Sequence, residues 1–121
     1  MYIEGSNATL NLNDVTLKDN HGTRVGAISF GYDGATATIT NSHFTDNESG
    51  GGVLHAARDG ANFTIIDSSF TGNATDESGG AVHTLEAVVT ISGSEFTGNS
   101  ADRYGGAVAV GSGVVLSLIH I

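Results

Sequence analysis

Residues 63–73 read FTIIDSSFTGN, and three other stretches lay over them: 10–20 (LNLNDVTLKDN), 37–47 (ATITNSHFTDN) and 89–99 (VTISGSEFTGN). Their last residues, Asn20, Asn47, Asn73 and Asn99, are 27, 26 and 26 positions apart. A glycine-centred apolar step follows each: Gly26-Ala27-Ile28, Gly52-Val53-Leu54, Gly80-Ala81-Val82 and Gly106-Ala107-Val108. A fixed period of this size is the signature of a solenoid, in which each repeat buries its apolar face against its neighbours alone.

Within one repeat, Phe63 and Ile65 flank Thr64, the alternation of a strand with one buried face. Leu10, Ala37 and Val89 stand at the position of Phe63; Leu12, Ile39 and Ile91 stand at that of Ile65. Leu17, Phe44 and Phe96 match Phe70. A polar loop (74–78) follows Asn73, and a further alternating stretch follows the glycines, as Ile28/Phe30 and Val108/Val110 show. Helical periodicity is absent, and a chain this rich in Gly, Thr, Ser and Asn disfavours helix. The reading is therefore all-β: a right-handed parallel β-helix of about four coils, three short strands per coil. Equivalent residues should stack about 4.8 Å apart. Phe44, Phe70 and Phe96 should form an aromatic ladder. Asn47, Asn73 and Asn99 should form an amide ladder that also satisfies the turn backbone. The glycines are expected to adopt backbone angles closed to other residues or to let coils pass closely. A leucine-rich repeat lacks its LxxLxL consensus here, and Gly79-Gly80-Ala81-Val82-His83 breaks the calcium-binding nonapeptide pattern.

The pairing of FTGN or FTDN with a downstream GGAV resembles the repeats of chlamydial-type polymorphic outer membrane proteins, in which FxxN and GGA-[ILV] alternate. Phe70-Thr71-Gly72-Asn73 with Gly79-Gly80-Ala81-Val82 fits fully, as does Phe96-Thr97-Gly98-Asn99 with Gly105-Gly106-Ala107-Val108. The second coil departs at Gly51-Gly52-Val53-Leu54; the first departs at Leu17 and at Val25-Gly26-Ala27-Ile28. The resemblance covers residues 8–115 and implies an autotransported surface β-helix, a passenger segment with adhesive roles.

Composition narrows the partners. Four Lys and Arg stand against 13 Asp and Glu, a net charge of −9. That balance argues against nucleic acid or an anionic membrane, both of which are held by clustered basic residues. There are no cysteines, so neither a disulfide scaffold nor a Cys-based zinc site is available. Met1 to Gly5 show no signal-peptide pattern, and no apolar run reaches the roughly 18 residues of a membrane helix. The final residues, 116–121 (LSLIHI), read as the translation of a sequencing adapter. On that reading the repeat domain occupies 1–115. The tail alternates like the first strand of a fifth coil, and His120 carries no functional weight.

The polar residues offer few constellations. His55 and His83 fall at equivalent places and are read as an exposed ladder rather than a metal or catalytic pair. Asp46, Glu48, Asp76, Glu77 and Asp102 gather after the asparagines; a solvated acidic edge is favoured over a Ca²⁺ site. Arg58 with Asp59, and Asp102 with Arg103, are expected as exposed salt bridges. The paired carboxylates of glycoside hydrolysis stand about 5–9.5 Å apart, and stacked coils can place Asp59 or Asp67 at such a distance by accident, so proximity alone does not mark a catalytic pair. Asn7, Asn62 and Asn73 head glycosylation sequons, with Asn73 expected inside the ladder. No residue is assigned to catalysis, to a cofactor or to a metal, and no cofactor is implied. The expected function is a non-catalytic segment of a surface-exposed or secreted bacterial β-helix protein, adhesin-like or passenger-like. Its partners would be host-surface or carbohydrate ligands, and the rest of its own β-helix at both ends. It would bind no nucleic acid and insert in no membrane. The alternative is part of a carbohydrate-active enzyme, a pectate-lyase-like lyase or a hydrolase.

Overall fold

The computed structural model describes residues 1–24, 26–56 and 58–120, with the backbone alone for 113–120. The described chain is all-β and winds as a parallel β-solenoid of about four turns. Strands one coil apart pair in parallel, in register except for one skip in the last pairing. The longest stack holds Thr9–Asn13, Thr36–Thr40 and Ala61–Ile66, then residues 87–92 of the long strand Val82–Thr97. A second stack holds Thr16–Lys18, His43–Thr45, Ser69–Thr71 and 95–97. A third holds Tyr2–Ile3, Ile28–Phe30, Leu54–Ala56 and 82–84. These are the three expected strands per coil. The structure adds a fourth stack of two-residue strands: His21–Gly22, Glu48–Ser49, Ala74–Thr75 and Ser100–Ala101. Ala74–Thr75 opens the stretch expected as loop. It pairs there because the asparagine before it holds its backbone against the next coil.

That asparagine ladder runs through all four coils. The Asn47 Nδ2 donates to Asn73 Oδ1 at 2.9 Å, and the Asn73 Nδ2 donates to Asn99 Oδ1 at 2.9 Å. The Asn20 Nδ2 continues the row to Asn47 Oδ1 at 2.8 Å. Each Oδ1 also accepts the backbone N–H of the preceding coil's asparagine, Asn47 N to Asn73 Oδ1 at 3.0 Å for example. Each Nδ2 spends its second proton on a turn carbonyl, Asn73 on Phe44 O at 2.9 Å and Asn99 on Phe70 O at 2.8 Å. Asn73 is fully buried, and its amide has both donors and both acceptor sites engaged.

Beside the amides lie the rings. Phe44 and Phe70 stack with centroids 4.5 Å apart and planes 3° from parallel; Phe70 and Phe96 follow at 4.8 Å and 2°. Large and small residues alternate elsewhere in the core. The coil that holds Phe30 has Ala37, and the next has Ala56 and Phe63, so the two rings meet at 5.5 Å.

Sharp corners make this winding possible. Two residues before each strand of the second stack stands Asp14, Asn41, Asp67 or Gly93, each with φ between 48° and 57°. The residue before the asparagine is Asp19, Asp46, Gly72 or Gly98, with φ between 52° and 64°. Only Gly, Asn and Asp enter this left-handed region at small cost, so the corner alternates among them. The glycine pairs do both things expected of them. Gly79 has φ 66°, and a Cβ on Gly80 would stand 2.3 Å from Gly106 O.

A second polar ladder was not anticipated. Ser42 N donates to Ser68 Oγ at 3.1 Å and Ser68 N to Ser94 Oγ at 3.0 Å. Each hydroxyl in turn donates to the carbonyl two residues earlier, Thr40, Ile66 or Ser92. The three serines align in the repeat, two residues before each Phe. Small buried hydroxyls give no hydropathy signal, so strand patterning does not single them out.

Backbone pairing continues from Val82–Thr97 to Val108–His120, but its phase changes. Ser117 stands opposite buried Ile91, and the register skips a residue opposite Gly93, between Leu118 and Ile119. The tail therefore repeats neither the apolar phase nor the corner residue of the coils before it. Ile121 lies outside the described residues.

Among the described residues, one buried side-chain polar atom has no partner: the Thr84 hydroxyl, at a position where other coils place Ala56 or Val110. Two substitutions should therefore move stability in opposite directions. Asn73→Ala would orphan the Phe44 carbonyl, the Asn47 N–H and an amide donor of Asn47, at about 1–3 kcal/mol each. A loss above about 3 kcal/mol is expected in urea unfolding. Thr84→Val removes an unpaired hydroxyl and should gain about 1 kcal/mol.

Candidate functional site

Outward side chains of the longest sheet are set in register by the same pairing. Row by row they read Thr9–Thr36–Asn62–Val88, Asn11–Thr38–Thr64–Thr90 and Asn13–Thr40–Ile66–Ser92. None of these twelve residues is charged, in a chain whose net charge is −9. Carboxylates stand at both edges instead, Asp14 and Asp67 at one corner and Asp33, Asp59 and Glu86 towards the other. The result is a sheet face of hydroxyls, amides and a few methyls. The inward partners of these residues, among them Ile39, Phe63 and Ile65, are fully buried, so the backbone under the face is held rigidly.

His55 and His83 are register partners, as the sequence implies, with ring centroids 5.3 Å apart. Both are half-buried rather than exposed, which corrects the expected solvent ladder. The reason is local: the glycine turns preceding the strand fold over the rings, and the His83 Nδ1 lies 3.3 Å from Gly51 O. Ser29, on the coil before, approaches the His55 Nδ1 at 3.4 Å. Burial above all, and then the neighbouring His83, pull the His55 pKa from 6.5 down to about 4, against a smaller upward pull from Glu77. His55 and Glu77 line one shallow cleft together with Thr23, Arg24, Gly50 and Gly51.

The acidic residues are dispersed. Asp46 is itself a left-handed corner, and Glu48 is engaged by His21 across one coil at 3.2 Å. Asp76 shares a cleft with His21 and Glu48, whereas Asp102 lies one coil further on. Among the described residues, no three His, Cys, Asp or Glu side chains are grouped closely enough to hold a metal ion. The ion pairs among those residues are Lys18–Asp19 at 3.9 Å and His21–Glu48, not the expected Arg58–Asp59 and Asp102–Arg103. Asp59 and Asp67 flank opposite ends of the strand Ala61–Ile66, on the order of 20 Å apart, far beyond the separation of a hydrolytic carboxylate pair. Of the sequon asparagines, Asn73 is buried and inaccessible to modification, whereas Asn7 and Asn62 are exposed.

With coils, corners and ladders in place, comparison with known families becomes specific. The description of the Chlamydia polymorphic membrane protein repeat matches residues 67–85 and 93–111. These two stretches are similar to polymorphic membrane protein repeats. Each begins on a left-handed corner, Asp67 or Gly93, and runs through the stacked Phe and Asn to the strand beyond the glycine pair. The first two coils, outside the matched residues, are those with Leu17 for the phenylalanine and Gly52-Val53 for the glycine–alanine step. The repeat belongs to chlamydial outer-membrane proteins, and the match supports an outer-membrane or surface location. No curated protein and no solved structure matches the chain. Among the described residues no helix is long and apolar enough to cross a membrane.

The lowered pKa of His55 has a measurable consequence. Unfolded, the ring takes up its proton near pH 6.5; folded, near 4. Between those values the unfolded chain binds more protons, so stability falls as the pH is lowered through this window. The thermal midpoint should drop from pH 6.5 to 4, and His55→Gln, with His83 and Glu77 unchanged, should flatten that drop.

Proposed function

We propose that this chain is a non-catalytic segment of a surface-exposed or secreted bacterial β-helix protein, adhesin-like or autotransporter-passenger-like. The observation that carries the reading is the uncharged outward face of the longest sheet. A rigid coil stack displays three rows of hydroxyl, amide and methyl groups at a constant spacing of about 4.8 Å. Such a surface suits many weak, repeated contacts with a neutral partner such as surface carbohydrate, where each additional row adds to the whole. It offers nothing to a polyanion. The acidic edges on either side keep it from pairing with copies of itself. The polymorphic membrane protein repeats of the third and fourth coils agree with a surface setting.

The test is to present the purified chain to arrayed neutral and acidic glycans and to host-cell surfaces. Retention on neutral glycans or cells, lost in a Thr38→Lys, Thr64→Lys double variant that keeps its β-sheet circular dichroism, is the expected result. Release of unsaturated or hydrolysed oligosaccharide from any arrayed polysaccharide would overturn it in favour of a carbohydrate-active enzyme.

A further inference from the structure

The corner between the third stack and the longest sheet changes partway along the solenoid. From Ile28 to Ala37, and again from Leu54 to Phe63, the chain takes nine positions to pass between equivalent register rows; from Val82 to Val89 it takes seven. The longer passages hold a turn, Tyr32-Asp33-Gly34 in one coil and Arg58-Asp59-Gly60 in the next, with φ 73° at both glycines. Such turns stack: the Asn7 N–H donates to Asp33 O at 2.9 Å and the Gly34 N–H to Asp59 O at 3.0 Å. The next coil has none, because Val82–Thr97 runs through the corner as one strand and Val108–His120 follows it in parallel. The stacked turns therefore end in a step at Gly60. At its foot lies an open cleft of about 330 Å³, with Gly60, Asn62, Glu86, Val88 and Ser112 among its lining residues. We propose that this cleft is the anchoring subsite for one neutral sugar residue, from which a glycan extends along the threonine and asparagine rows of the sheet; this rests on the carbohydrate reading above and places one end of that ligand.

Four features support this. Asn62 and Val88 end the outward row Thr9–Thr36–Asn62–Val88, so the cleft is continuous with the uncharged face. The Asn62 Nδ2 gives one proton to Gly60 O at 3.2 Å, which fixes the amide and leaves Oδ1 and the second proton for a ligand. Glu86 pairs in register with Ser112 and stands one position before the pair Ala61–Ala87, beside Gly60. Among the described residues it joins no ion pair, and no Lys or Arg lines the cleft. A carboxylate so placed accepts from two neighbouring hydroxyls of a sugar ring and repels uronic or sialic acids. Lastly, Leu85 and Val88, 47% and 42% exposed, are the two exposed branched aliphatics among the described residues, and both fall within two positions of Glu86. They offer an apolar patch to the C–H face of a ring whose hydroxyls bond to Asn62 and Glu86, the pairing of apolar lining and few polar groups that small-molecule sites use. Gly60 on one side and Ser112 on the other are too small to cover it.

The experiment is calorimetric titration of the whole chain with maltohexaose, cellohexaose and mannohexaose, and with hexagalacturonate as the acidic comparison, alongside amide NMR of the unaltered protein. At least one neutral hexasaccharide should bind, with the amides of Asn62, Glu86 and Val88 among those that shift, a readout that needs no variant to fold. Asn62→Ala and Glu86→Gln should each weaken that binding at least about tenfold. Asp102→Asn, a carboxylate on the fourth stack's side, should leave it unchanged. Binding that is lost in the Thr38→Lys, Thr64→Lys variant yet indifferent to Asn62→Ala and Glu86→Gln would overturn the subsite and leave the sheet-face reading standing. Binding of none of the three neutral hexasaccharides would overturn the subsite and the carbohydrate reading together. Tighter binding of hexagalacturonate would overturn the neutral specificity assigned to Glu86.

Discussion

The Asn73 side chain commits its whole hydrogen-bonding capacity to two neighbouring coils, and the fold follows from meeting that demand in every turn. An amide can reach its equivalent only if the intervening residues bring the chain back to the same place. The 26- and 27-residue spacing of Asn20, Asn47, Asn73 and Asn99 is the length that does so. Two residues separate the phenylalanine position from the asparagine in every coil. The two left-handed corners on either side of the Phe strand are the device that keeps this stretch short. The serine ladder does at the first corner what the asparagines do at the second: it ties a buried turn carbonyl and the next N–H to one small side chain.

Inside this frame the apolar residues have latitude. Ala37 against Phe30, and Phe63 against Ala56, show that single positions vary in size while their sum is kept. Ile39, Ile65 and Ile91 repeat without change in the inner coils, and so do the flat rings of Phe44, Phe70 and Phe96, for which a 4.5–4.8 Å separation is both the coil spacing and a good stacking distance. Outside, the same register arrays whatever the sequence supplies. The uncharged threonine and asparagine rows and the paired histidines are therefore consequences of the fold.

Most of the architecture was legible because a solenoid repeats its evidence. Four copies of one pattern exposed the buried rows, the aromatic stack and the amide ladder, each confirmed residue by residue. Subtler elements needed coordinates. Asp67 and Gly93 share a corner, yet they look unrelated until their positive φ is seen. Ser42, Ser68 and Ser94 are small and polar, and nothing in hydropathy separates them from the exposed serines nearby. The histidines were placed correctly in register, but their burial depends on how the Gly50–Gly52 turn folds over them, which strand patterning does not report. The adjacent charges at Arg58 and Asp59 were misread for the same reason: neighbours in sequence on a turn need not face one another.

Amide hydrogen exchange at Asn47, Asn73 and Ser68 tests the central claim most directly. Their N–H groups donate to side chains of the next coil, not to a strand backbone. If the side-chain ladders hold the coils in register, these three protons exchange only through global unfolding, as slowly as the strand amides of Phe44 and Phe70. Exchange at the rate of a surface turn, with the strand amides still protected, would contradict the account.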